Sequence, residues 1–76
     1  MNAKMIINHL CDRYGARSYD LTPWTRVWQT RSGHTYCVKS DPFVIFHRHP
    51  DGRKRNYNGD ERGALNFIDR MEERHG

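Results

Sequence analysis

Apolar side chains at the start of the chain recur at intervals of three and four. Ala3, Ile6, Ile7, Leu10, Cys11 and Tyr14 therefore share one stripe, and the spacing predicts an amphipathic helix. Asn2 suits its start, and Gly15 stands where a left-handed cap ends a helix. Cys11 lies on the stripe and reads as a small core residue. Residues Ala16 to Pro23 read as a connection, because Ser18, Asp20, Thr22 and Pro23 disfavour regular structure.

The period then changes from helical to alternating. Residues 24–30, WTRVWQT, are rich in strand formers, with Trp24 and Trp28 on one face and Val27 on the other. At least one of these tryptophans is expected in the core, since a small domain has few other large apolar groups. Arg31-Ser32-Gly33 is a turn, and residues 34–39, HTYCVK, give a second strand with Tyr36 and Val38 opposite Cys37. Asp41-Pro42 interrupts the pattern, since proline lacks the amide donor of a sheet ladder. Residues 42–49, PFVIFHRH, form the most apolar strand, expected at the sheet centre. His49-Pro50-Asp51-Gly52 is a strong turn signal, and residues 53–57, RKRNY, return as a short fourth strand or a basic edge.

A second amphipathic helix closes the chain. Asp60 is its cap, and Ala64, Phe67, Ile68 and Met71 form its stripe. Arg70, Arg74 and His75 suit the dipole at its far end, and its acidic residues read as a solvated face. The prediction is one α+β domain over residues 1–76. It is a small two-layer fold of helix, three- or four-stranded antiparallel sheet and helix, with both helices on one sheet face. The strand alternation leaves open which face is buried.

Composition narrows the functional classes. With 76 residues, 36% of them hydrophobic, the core can only be one thin layer. The net charge is +4, and ten of the thirteen basic residues are arginine. Arginine's planar fork matches phosphate and carboxylate, so the balance points to nucleic acid or an acidic protein surface. No apolar run reaches bilayer length, and the start does not read as a signal peptide. Cys11 and Cys37 then read as reduced thiols of a cytoplasmic protein. There is no glycine-rich phosphate loop, GxSxG, HExxH or CxxC, so the reading leans away from an enzyme, and no cofactor is expected.

Three constellations carry candidate chemistry. His47, Arg48, His49, Arg53, Lys54 and Arg55 surround the Pro50-Asp51-Gly52 turn, with Tyr57 beside them as a stacking ring. Such a hairpin lays cations along phosphates, and Arg26, Arg31 and Trp28 extend the same binding surface. A solvated edge strand protected by its charges would have the same composition. His34, Cys37, His47 and His49 are ligand types that suit zinc. Their spacing is not that of a common finger, and alternation turns His34 and Cys37 to opposite faces, so no metal site is expected. His34, just after Gly33, is also placed to act as a general base.

Ser32-Gly33-His34, His49-Pro50-Asp51-Gly52-Arg53 and the stretch Gly59 to Asn66 resemble pieces of the HicA-type mRNA interferase toxins. The layout is similar to double-stranded-RNA-binding domains as well. The toxin resemblance implies RNA binding and a catalytic His34. By type, a tiny domain rich in charge and aromatics also resembles the small phage-encoded inhibitors, anti-CRISPR proteins among them. That likeness implies a non-enzymatic inhibitor, monomer or homodimer, acting on a host nucleoprotein complex and not on a membrane.

Overall fold

A computed structural model of the chain describes residues 3–40 and 42–73. The N-terminal stripe closes into α1, Ala3–Tyr14, which buries Ile6 and Leu10. Cys11 is only half-buried, at the margin of the stripe, where the expectation placed it in the core. The helix ends at Gly15. The amides of Gly15 and Ala16 turn back to the Cys11 and Leu10 carbonyls, satisfying two of the helix's terminal acceptors.

Five strands follow, where three or four were expected: β1 (Arg17–Thr22), β2 (Thr25–Gln29), β3 (Thr35–Lys39), β4 (Val44–Arg48) and β5 (Lys54–Asn58). They form one antiparallel meander in the order β1-β2-β3-β4-β5. The additional strand, β1, occupies the segment read as a connection. Every one of its residues is exposed, so no buried side chain marks it in the sequence, and its pairing with β2 defines it. The centre of the sheet is β3. The more apolar β4 lies one place further out, and β5 is an edge.

The chain then enters α2, Glu61–Glu73, which buries Ala64, Ile68 and Met71. Asp60 caps it as expected, its carboxylate accepting the Gly63 amide at 2.8 Å. Ile6 and Leu10 from α1, Ala64 and Ile68 from α2, and Tyr36 and Ile45 from the sheet form one core with Phe43. Both helices thus lie on the same face of the sheet, the face of Tyr36 and Ile45. Among the described residues no helix is long and apolar enough to cross a membrane. The readings made for Asn2, Asp41, Arg74 and His75 lie outside the described residues.

Two turns of one build meet at the same end of the sheet. In Thr30–His34 and His49–Arg53 the fourth residue is a glycine whose amide donates to the carbonyl three residues back. The first residue's amide donates to the fifth residue's carbonyl in both. Gly33 and Gly52 have φ of 96° and 97°, which a residue with a Cβ adopts only under strain. A Cβ on Gly33 would lie 3.3 Å from the Pro50 ring, so the two turns are neighbours in space.

Asp60→Ala should lower stability by about 1 kcal/mol, and Asp60→Ser should restore most of it, because the cap serves one amide of the first helical turn. Denaturant unfolding of the three proteins checks this.

Candidate nucleic-acid interface and histidine cluster

The face of the sheet opposite the helices is open. Strand register places Tyr19 beside Val27 on it, and Cys37, Phe46 and Asn56 in a row across β3, β4 and β5. The neighbouring row carries Thr35, Arg48 and Lys54. Tyr19 and Phe46 remain 44% and 42% exposed, whereas Val27 and Cys37 lie buried between the longer side chains. A groove of about 520 Å³ runs over this face, lined among others by Tyr19, Phe46, Arg48 and Lys54. Leu21 of β1 lines it as well, and Trp24, in the turn of the β1–β2 hairpin, is 88% exposed.

The basic hairpin divides between the two faces. Arg48 and Lys54 are direct cross-strand neighbours on the open side, and neither has an ion-pair partner among the described residues. Like charges placed opposite each other in this way destabilise a sheet. Arg53 is held by Asp51 at 2.8 Å, and Arg26 by Asp20 at 3.1 Å. Both pairs are exposed, where water and salt leave them little strength. The Arg53 amide and then its side chain also hold the Asp51 carboxyl below its usual range. Arg31 is exposed and lies over Gly15.

Trp28, His47, Arg55 and Tyr57, all assigned to the contact surface, point the other way. Trp28 pairs with Tyr36, and strand parity turns both toward the helices, where Trp28 packs against the core. Trp24 falls in the turn before β2 and is the exposed one of the pair. Tyr57 stacks on Phe67 of α2 and donates its hydroxyl to the Asp60 carbonyl. His47 is 2% exposed, beneath α2, with its ring edge-on to Phe67.

His47 belongs instead to a cluster at the end of the sheet where the two turns meet. His34 directly precedes β3 and is also 2% exposed. Its Nδ1 lies 2.8 Å from His47 Nε2, with the rings stacked. Tyr36 stacks on His47 of this pair, at 4.8 Å between centroids. His49, half-buried at the start of the second turn, meets both rings edge-on. One ring nitrogen from each of His34, His47 and His49 lies within 4.8 Å of the others. Cys37 faces the open side, as alternation required, and is not part of the group. Beside the cluster is a cleft of about 540 Å³ lined among others by His34, His49, Asp51, Arg53 and Arg55.

A carboxylate network supports this end. Glu72 of α2 accepts from Tyr36 at 2.6 Å, Ser32 at 2.7 Å and Thr30 at 3.1 Å. Burial, then the Glu72 carboxylate, pushes the Tyr36 phenol far above its ordinary range, so the ring donates and never ionises. Asp69, one helical turn earlier, accepts from Tyr14 at 2.5 Å and from His9 at 2.8 Å. Burial alone would raise the Asp69 carboxyl, but these two donors hold it below its usual value. Burial and the same bond push Tyr14 up to about 12. Burial lowers His47 to about 3, helped by His49, His34 and Arg55, so His47 is neutral at ordinary pH.

No protein-family model matches the chain, and no characterised protein or solved structure resembles it at a significant level. The geometry alone therefore carries the functional reading.

Two measurements probe this end. Glu72→Ala should cost about 2–3 kcal/mol in denaturant unfolding, because three hydroxyls lose one charged acceptor. His47 is held neutral in the fold until about pH 3, while the unfolded chain protonates it near its ordinary value of 6.5. Its contribution to stability is therefore complete above pH 6.5 and is lost as pH falls toward 3. Thermal melts should show His47→Phe losing less stability than the natural chain between pH 7 and pH 4.

Proposed function

We propose that this chain is a non-enzymatic binding protein that lays its open sheet face on a strand of nucleic acid within a host nucleoprotein complex. This is the mode of action of a phage-type inhibitor such as an anti-CRISPR protein. The observation that carries the reading is the Arg48–Lys54 pair beside exposed Phe46. Two cations forced together across a sheet repel each other, and a phosphate between them turns that repulsion into attraction. The neighbouring aromatic faces supply the other half of strand recognition, since bases stack on them without regard to sequence. Tyr19 and Phe46 border the groove on opposite sides, with Asn56 between Phe46 and the edge.

The exposed rings beside these cations, on which bases can stack, favour nucleic acid over an acidic protein surface. Arg53 and Arg55, at the rim of the neighbouring cleft, extend the positive track around the hairpin. His34 is nearly inaccessible, and its Nδ1 faces His47, which supports the binding reading over ribose-hydroxyl activation.

Fluorescence anisotropy with labelled single-stranded RNA and DNA tests the reading. Binding should weaken steeply with salt, and Arg48→Glu/Lys54→Glu should reduce the salt slope by about 2 as two phosphate contacts are lost. Phe46→Ala should weaken binding by about 1–3 kcal/mol with the fold unchanged by circular dichroism. Salt-insensitive binding, or binding unchanged in both variants, overturns the proposal. So does cleavage of the RNA that disappears in His34→Ala, which would establish the interferase-like alternative.

A further inference from the structure

We propose that His34, His47 and His49 form a binding site for one divalent transition-metal ion, with Zn²⁺ the ion their chemistry suits. The inference is independent of the nucleic-acid reading. Three imidazoles converge to within 4.8 Å, and imidazole nitrogen is the ligand that zinc shares with copper and nickel and that magnesium and calcium avoid.

The scaffold holds these ligands on fixed elements. His47 sits on β4, opposite Tyr36 of β3, His34 closes the first of the two paired turns just before β3, and His49 opens the second. Tyr36 stacks against His47, and Phe67 closes on its edge, so the ring has no room to turn outward. Ligands preset in this way lose little freedom on binding an ion.

The buried pair is a polar group inside an apolar layer. The two facing nitrogens at 2.8 Å share a single proton if both rings are neutral, and His47 Nδ1 has no hydrogen-bond partner among the described residues. An ion at the meeting point takes the lone pairs of both nitrogens. The shared proton then moves to the far nitrogen of the ring that carried it, so a neutral pair loads the ion without net loss of a proton. Arg55 opposes the ion's charge. Asp51 at the rim of the same cleft offsets it.

Three protein ligands leave a tetrahedral ion one further position. The cleft lined by His34, His49, Arg53 and Arg55 provides room for water or a small anion there. No Cys ligand takes part, because Cys37 lies on the opposite side of the sheet and Cys11 on α1.

The test uses the full chain without a histidine tag, freed of metal with a chelator, and needs no nucleic acid. Zn²⁺ titrated by calorimetry should bind one ion per chain and raise the melting temperature. Co²⁺ should give the intense visible absorption of a tetrahedral site. His49→Ala removes the half-buried ligand and leaves the buried pair in place. It should weaken Zn²⁺ binding by at least about tenfold, the lower bound for losing even an outer partner of a metal site. Cys37→Ser and His9→Ala should leave binding unchanged. Absence of Zn²⁺ binding by the folded chain overturns the proposal. Binding that survives His49→Ala, or that is lost with Cys37 or His9, overturns it equally.

Discussion

Burying a phenol obliges the fold to supply its hydroxyl with an acceptor, and much of this structure follows from how Tyr36 meets that demand. Its ring is fully buried between the helices and the sheet, in contact with the residues that define the core. Its hydroxyl reaches Glu72, and an uncompensated hydroxyl in that position would cost several times the net worth of an ordinary hydrogen bond. Glu72 has capacity for more than one donor. Ser32 and Thr30 use it, and so the end of α2 is fastened to the β2–β3 turn. That fastening sets the position of His34, which follows directly in sequence. A single buried aromatic thereby couples core packing to the geometry of the histidine end.

Asp69 performs the corresponding task between the helices. It receives Tyr14 and His9 from α1, so α2 carries two carboxylates one turn apart that face different parts of the molecule. The amphipathic stripe of α2 brings the helix to the sheet, and these carboxylates fix its rotation and its ends. The open side of the sheet has no comparable constraint. Its residues are held by strand pairing alone, and its charges repel one another. Stability is concentrated on one side of the sheet, and unsatisfied electrostatics on the other.

Both helices were legible in the sequence because their stripes repeat over three turns and end at residues that cap. The strands β2, β3, β4 and β5 were legible from strand-forming residues, alternation and the turn residues between them. In β1, Tyr19 and Leu21 do alternate with Ser18, Asp20 and Thr22, but the pattern is short, all of its residues are exposed, and turn formers and Pro23 surround it. The fate of the tryptophans turned on one residue of register: Trp24 precedes β2 and stays in water, while Trp28 faces the helices. The basic hairpin was found by composition, but its division between two faces needed the pairing of β4 with β5. The histidine cluster could not be read from spacing, because His34 and His47 meet only through the β3–β4 register.

The meander has a consequence for how the chain assembles. Each strand pairs with its neighbour in sequence, so the sheet can zip up hairpin by hairpin as the polypeptide lengthens. The first helix has no such immediate partner. Ile6 and Leu10 complete their burial against Ala64 and Ile68, almost the whole length of the chain away. On the ribosome, α1 can lay part of its stripe on β3, but the part that meets α2 stays uncovered until that helix emerges. The interval of greatest exposure to misassociation thus precedes the emergence of α2, when the sheet is built and part of its lid is still missing.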